Sequence, residues 1–128
     1  MISVIIPTLN EAATLESFLQ NLLSQVGRFE IILADGGSSD GTLEVLNRFS
    51  GIRLIKSGGG RGRQMNEGAR EARGEILLFL HADTTLPPHA FRKIEAALAD
   101  SSVEAGSFYL KFDQPGGFFR ILSSLMIS

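Results

Sequence analysis

Short apolar runs alternate along this chain with stretches in which apolar residues recur every three or four positions. Residues 2–6 are mostly apolar and β-branched, and the run predicts a buried parallel strand closed by Pro7. Asn10 is placed to cap a helix whose inner face is Leu15, Phe18, Leu19, Leu22, Leu23 and Val26, with Gly27 as its stop. Residues 29–34 predict a second strand. Leu43, Val45, Leu46 and Phe49 then mark a helix capped by Asp40 or Ser39 and ended by Gly51. Residues 52–55 predict a third strand, and residues 61–72 a polar helix anchored by Met65, Ala69 and Ala72 and closed by Gly74. Residues 75–80 form the most apolar strand. Pro87 and Pro88 suit the first turn of a helix that buries Phe91, Ile94, Ala97 and Leu98. Residues 107–112 alternate like a half-exposed, antiparallel strand, and the apolar segment 118–127 is expected to be a last helix.

Strands alternating with helices predict an α/β fold: a mostly parallel sheet, helices on both faces, right-handed crossovers. Ligands of such sheets bind outside the carboxyl ends of the strands. Two acidic loops fall at that rim. Residues 34–42, Ala-Asp-Gly-Gly-Ser-Ser-Asp-Gly-Thr, follow the second strand, and His81-Ala82-Asp83 follows the fourth. Two acidic rims in one small unit suggest a nucleotide and metal site.

The chemistry of each rim residue narrows this. Asp35 can accept a hydrogen bond from a uracil-like N–H or a ribose hydroxyl, since a carboxylate only accepts. Asp40 is placed as a helix cap. Arg61 and Arg63 flank a glycine turn at a helix start, where guanidinium forks and the helix N-terminus favour a pyrophosphate. Asp83 offers a hard oxygen ligand to Mg²⁺ or Mn²⁺, a cation that neutralises a departing diphosphate. His81 suits Mn²⁺ better than Mg²⁺, and bonding to a ribose or simple packing at the strand end are its other readings. Gln64 and Asn66 sit on the polar helix, and Asn66 is a candidate to hold the strand-end loops together. Gly58-x-Gly60 lacks the spacing of a dinucleotide fingerprint, and no Gly-Lys-Ser/Thr exists for a P-loop.

Composition removes other classes. The 128 residues suit one domain or part of a larger one, and 44% apolar content is enough for a core. A net charge of −2 gives no basic field, so no nucleic-acid partner is expected. The absence of cysteine excludes disulfides and thiol chemistry. No apolar run approaches the ~20 residues of a spanning helix, and the start lacks a basic n-region, so a cytoplasmic location is the default. The apolar segment near residue 127 leaves peripheral membrane association and homo-oligomer formation open.

Four motifs in order carry a resemblance. They are Val4-Ile5-Ile6-Pro7-Thr8-Leu9-Asn10-Glu11; Asp35-Gly36-Gly37-Ser38-Ser39-Asp40-Gly41-Thr42; Gln64-Met65-Asn66-Glu67-Gly68 with Ala72-Arg73-Gly74-Glu75; and His81-Ala82-Asp83-Thr84. Together they resemble the family 2 inverting glycosyltransferases of the Rossmann-like GT-A fold, to about residue 112. The resemblance implies that Pro7, Thr8 and Glu11 line the base and ribose, and it favours Arg63 over Arg61 near the substrate. It also places Asp83 in the metal-binding Asp-x-Asp, with His81 replacing the first acid. The family often has a second acid after Asp35; here Gly36 stands there, which leaves the base undefined. The implied reaction moves a sugar from a nucleotide diphosphate sugar to a hydroxyl acceptor with inversion. The family's catalytic base follows the metal motif, and no matching carboxylate is found, Asp113 being a poor positional match. Residues 1–128 are therefore expected to be one nucleotide-sugar-binding α/β domain, the N-terminal part of a longer glycosyltransferase domain. A non-catalytic nucleotide-sugar-binding module and a nucleotidyltransferase are the alternatives. The latter wants a Gly-rich basic loop where residues 7–11 stand.

Overall fold

A computed structural model describes residues 1–99, 107–109 and 117–121. The elements run β1 (Ile2–Thr8), α1 (Ala12–Leu23), β2 (Phe29–Asp35), α2 (Thr42–Leu46), β3 (Ile52–Lys56), α3 (Arg61–Arg70), β4 (Ile76–Leu80), α4 (Ala90–Leu98), β5 (Ser107–Tyr109) and β6 (Gly117–Ile121). They form one sheet in the order β3-β2-β1-β4-β6-β5. The β3, β2, β1 and β4 strands are parallel, whereas β6 pairs antiparallel with β4 and β5 antiparallel with β6.

Both faces of the parallel strands are covered, so their residues are apolar on both sides of the pleat. Val4, Ile6, Ile31, Leu33, Leu78 and Leu80 point to one face, where Leu15, Phe18, Leu19 and Leu22 of α1 and Phe91 and Ile94 of α4 cover them. Ile5, Ile32, Leu77 and Phe79 point to the other face, against Met65 and Ala69 of α3 and the following Ala72. Parallel pairing also fixes the rim: Thr8 aligns with Asp35, and Ile5 with Phe79, so the loops after β1, β2 and β4 emerge on the same edge.

Several expectations are corrected. Pro7 does not end β1; pairing with β2 continues to Thr8. The β4 ladder stops at Ile5, so the missing Pro7 N–H costs no bond there. Residues 118–121, expected as part of a helix, lie in strand β6, which covers the edge of β4. The remainder of the 118–127 segment, and residues 110–112 of the expected preceding strand, lie outside the described residues. The α2 helix ends at Leu46 rather than near Phe49. Pro87 and Pro88 precede α4, whose N-cap is His89 in the left-handed region (φ 61°).

The far end of α3 is tied down at the opposite rim. Glu30 Oε2 accepts from Ser3 Oγ and, at 2.6 Å, from the main-chain N–H of Arg73; Glu30 Oε1 accepts from Arg53 at 3.2 Å. Ser3 Oγ in turn accepts from Gly74 N at 2.8 Å. Burial pushes the Glu30 carboxyl up, but the bonds from Ser3, Arg73 and Arg53 together outweigh it and hold the group below its ordinary value. The turn from α3 into β4 is thereby bonded to β1, β2 and β3, which fixes the axis of α3.

Candidate functional site

The loops after β1 and β2 are built as one unit. Asp35 is 3% exposed. Its Oδ2 accepts from Gly37 N at 3.0 Å and Ser38 N at 2.9 Å, and its Oδ1 accepts from Ser38 Oγ. The carboxylate expected to read a base thus first organises its own turn. Asn10 does not cap α1; it adopts φ 54° and its Oδ1 accepts from Ser39 N at 2.9 Å, while its own N–H donates to Ser38 Oγ at 3.0 Å. The start of α1 is satisfied from across the rim instead. Asp40 Oδ2 accepts from Ala12 N at 3.2 Å, and Thr42 Oγ1 accepts from Glu11 N at 3.1 Å. Asp40 is therefore a cap, but of the preceding helix, and it also accepts from Thr42 N at 3.1 Å.

Gln64 of α3 locks the strand ends beneath these loops. It is 4% exposed, and its Nε2 donates to Thr8 O and Ala34 O, each at 2.9 Å. The tie proposed for Asn66 is thus made by Gln64, and Asn66 is exposed. Gln64 lies four residues before Gly68, and both are buried on the face of α3 turned to the sheet. Above Gln64 opens a hollow of about 200 Å³, lined by Pro7, Thr8, Leu9, Glu11, Gly60, Arg61 and Gln64. Ligand clefts run to roughly 300–1,000 Å³, so this hollow suits one ring system rather than a whole nucleotide sugar. A larger hollow, about 480 Å³, lies at the other rim beside Met1, Arg28, Glu75 and Arg92. It involves none of the motif residues at the carboxyl ends of the strands.

Charged groups from three elements meet at the mouth of the smaller hollow. Partial burial, and then the charge of Arg61, push the His81 imidazole below its ordinary value, against the opposing pull of Asp83 and Glu11. Three elements thus contribute: Glu11 before α1, Arg61 at the start of α3, and His81 with Asp83 after β4. Asp83 is exposed and free to take a ligand. Arg63 is turned elsewhere. Its Nε donates to Glu67 Oε1 at 3.2 Å, and its guanidinium lies over Gly58, where a β-carbon would come within 2.5 Å of Nη1. Of the predicted residues, Pro7, Thr8 and Glu11 line the hollow; His81, Asp83, Asp35 and Arg63 are outside its lining, with His81 within reach of the charges of Asp83, Glu11 and Arg61 and Asp35 bonded within the neighbouring loop. Arg61, Leu9 and Gln64 join them.

Among the described residues no three His, Cys, Asp or Glu side chains group as a cage for a cation. Asp83, with His81 close by, fits a hard divalent ion only where an oxyanion ligand brings the remaining oxygens. A diphosphate is such a ligand.

The fold and this rim define an α/β unit with its candidate site outside the carboxyl ends of the parallel strands. Residues 3–125 match the model of glycosyl transferase family 2, and the chain belongs to that family. A PGL/p-HBAD biosynthesis glycosyltransferase of Mycobacterium bovis is 46% identical over 93 residues, covering 67% of this chain and 36% of that protein. The chain therefore spans about a third of that relative's length. The mannosyltransferase PcManGT of Pyrobaculum calidifontis, solved with GDP-Man and Mn²⁺, superposes with a TM-score of 0.75 at 28% identity, over 83% of this chain and 34% of that one. Glucosyl-3-phosphoglycerate synthase of Mycobacterium tuberculosis, solved with Mn²⁺, UDP and glucosyl-3-phosphoglycerate, superposes with a TM-score of 0.67 at 26% identity, over 81% and 42%. Among the described residues no helix is long and apolar enough to cross a membrane.

Proposed function

We propose that this chain is the donor-binding part of an enzyme that transfers a sugar from a nucleotide diphosphate sugar to a hydroxyl acceptor, with inversion at the anomeric carbon. The placement of Glu11 and Arg61 in the lining of a ring-sized hollow, with His81 and Asp83 on the next strand-end loop within reach of their charges, carries this reading. The base enters the hollow against Pro7, Thr8 and Leu9, with Glu11 toward the ribose. Asp35 holds the loop after β2, which is bonded to Asn10 next to this wall, and keeps one lone-pair direction for a ribose hydroxyl. Arg61 meets the diphosphate with a guanidinium fork. His81 adds an imidazole beside Asp83, as a further nitrogen or N–H for the ligand. Asp83 holds Mn²⁺ or Mg²⁺ jointly with the diphosphate, and the ion when bound neutralises charge on the leaving group.

In the reaction the acceptor oxygen forms a bond to the anomeric carbon as the bond from that carbon to the diphosphate oxygen breaks. The electron pair leaves with the nucleoside diphosphate, and the acceptor hydroxyl passes its proton to a carboxylate base on the acceptor side of the site. Arg61 stabilises the departing charge in place, which lowers the barrier more than it tightens the ground state. Titration of the chain with UDP and GDP in Mn²⁺, followed by assay of sugar release from UDP- and GDP-sugars, tests the reading. Metal-dependent binding with slow sugar release is expected. Metal-dependent binding with no turnover in the presence of candidate hydroxyl acceptors would instead favour a nucleotide-sugar-binding module. Absence of nucleotide binding would end the proposal.

A further inference from the structure

Gln64 and Gly36 share one space. A β-carbon built on Gly36 would lie 3.0 Å from each of Cδ, Nε2 and Oε1 of Gln64. The Gln64 amide therefore occupies the volume from which a side chain at position 36 would project. Its orientation is not ambiguous. Thr8 O and Ala34 O are both acceptors, so the amide must turn its nitrogen to them, and both amide hydrogens are used. The carbonyl oxygen is then forced to the other side. Among the described residues Oε1 accepts no hydrogen bond, yet it is not sealed away: the buried side-chain atoms left without a partner are Gln25 Oε1 and Thr84 Oγ1. Gln64 lines the ring-sized hollow.

We infer that Gln64 Oε1 is a specificity-determining acceptor that selects nucleobases bearing a ring N–H beside a carbonyl, as uracil and guanine do. The inference deepens the donor-binding reading and rests on it. A fixed acceptor with no hydrogen of its own pairs with such an N–H. Against the ring nitrogen of cytosine or adenine, which is itself an acceptor, it sets lone pair against lone pair. A buried polar group left unpaired in this way discriminates by about tenfold or more. Asp35 does not take this part: three of its carboxylate's acceptor directions are used by Gly37 and Ser38, and the one left is given to a ribose hydroxyl.

The test titrates the full chain, by calorimetry in Mn²⁺, with UDP, GDP, ADP and CDP. At least one of UDP and GDP is expected to bind about tenfold tighter than ADP and CDP. Methylating the ring N–H of the preferred nucleotide (N3 of UDP or N1 of GDP) is expected to cost about the same factor, and this arm needs no altered protein. Gln64→Ala, with its folding checked by melting, is expected to bring the four nucleotides within about threefold of one another. Equal binding of all four by the unaltered chain overturns the inference. So does full retention of affinity by the methylated analogue, or a preference that survives in folded Gln64→Ala. Failure of every nucleotide to bind is a different result, because it removes the donor-binding reading itself.

Discussion

Gly68 lies so close to Ile5 that a β-carbon on it would come within 2.6 Å of Ile5 Cγ2. Ile5 is fully buried and β-branched, so it has no free rotamer into which to retreat. The approach lets α3 lie low enough on the sheet for Gln64, one turn earlier, to reach the carbonyls of β1 and β2. Gly68→Ala gains about 1 kcal/mol of helix propensity and loses about 1–3 kcal/mol to overpacking. A net loss of about 1 kcal/mol in denaturant unfolding is expected, with weaker nucleotide binding as α3 rises. Unchanged or increased stability would show that the helix has slack at this contact.

The sheet was legible in the sequence because buried parallel strands are apolar on both faces, as residues 76–80 are, and helices announce themselves by the spacing seen at Leu15, Phe18, Leu19 and Leu22. What escaped was decided by distant partners. The stretch 118–127 carries apolar residues at 118, 121, 122, 125 and 126, a helical spacing, yet residues 118–121 lie in β6, which pairs with the otherwise open edge of β4. Gln64 looks solvated as a polar residue on a polar helix; only the two strand-end carbonyls explain its burial. Arg61 and Arg63 stand two positions apart, about 200° around a helix, so one of them faces the hollow and the other cannot. The family resemblance favoured Arg63, whereas it is Arg61 that lines the hollow. Asp40 was legible as a cap, but the helix it serves begins 28 residues earlier in the chain.

Asp40 ties the stability of the rim to pH. The hydroxyl of Thr42, followed by main-chain N–H groups including that of Ala12, holds its carboxyl below the ordinary value. A carboxyl depressed on folding contributes stability above its unfolded pKa and loses it as pH falls through its folded pKa. Melting temperature is therefore expected to fall between about pH 5 and pH 2, with Asp40 among the groups responsible. Asp40→Asn should melt lower than the parent at pH 7 and show a shallower acid limb. Parallel acid limbs for the two proteins would mean that the cap does not carry this linkage.

The two arginines separate the site by placement. Arg61 lines the hollow and acts on His81, whereas Arg63 is 66% exposed and paired with Glu67. A charge-assisted bond to phosphate contributes about 1.5–3 kcal/mol, so Arg61→Gln should weaken nucleoside diphosphate binding about 10- to 100-fold. Arg63→Gln removes a surface pair of little energetic weight and should change it less than about threefold. The opposite ranking in direct titrations would return the phosphate role to Arg63 and require its release from Glu67 on binding.

Asp83 makes a prediction about the order in which ligands are held. The loop after β4 offers one exposed carboxylate and a neighbouring imidazole, and among the described residues there is no cage of three acidic or histidine ligands. A hard cation that wants about six oxygens gains little from such a set alone. Mn²⁺ titrated into the chain should therefore bind weakly, and the same titration with saturating UDP or GDP should show strong uptake. By linkage, the nucleotide must tighten in Mn²⁺ by the same factor as the ion tightens in nucleotide. Asp83→Asn should remove most of that mutual enhancement, about 10-fold or more, while leaving nucleotide affinity in chelator as it is in the parent. Asparagine keeps the size of the side chain and one oxygen, so a loss confined to the metal-dependent part identifies the lost charge as its cause. Mutual enhancement that survives in Asp83→Asn would place the cation on other groups and leave Asp83 outside the site.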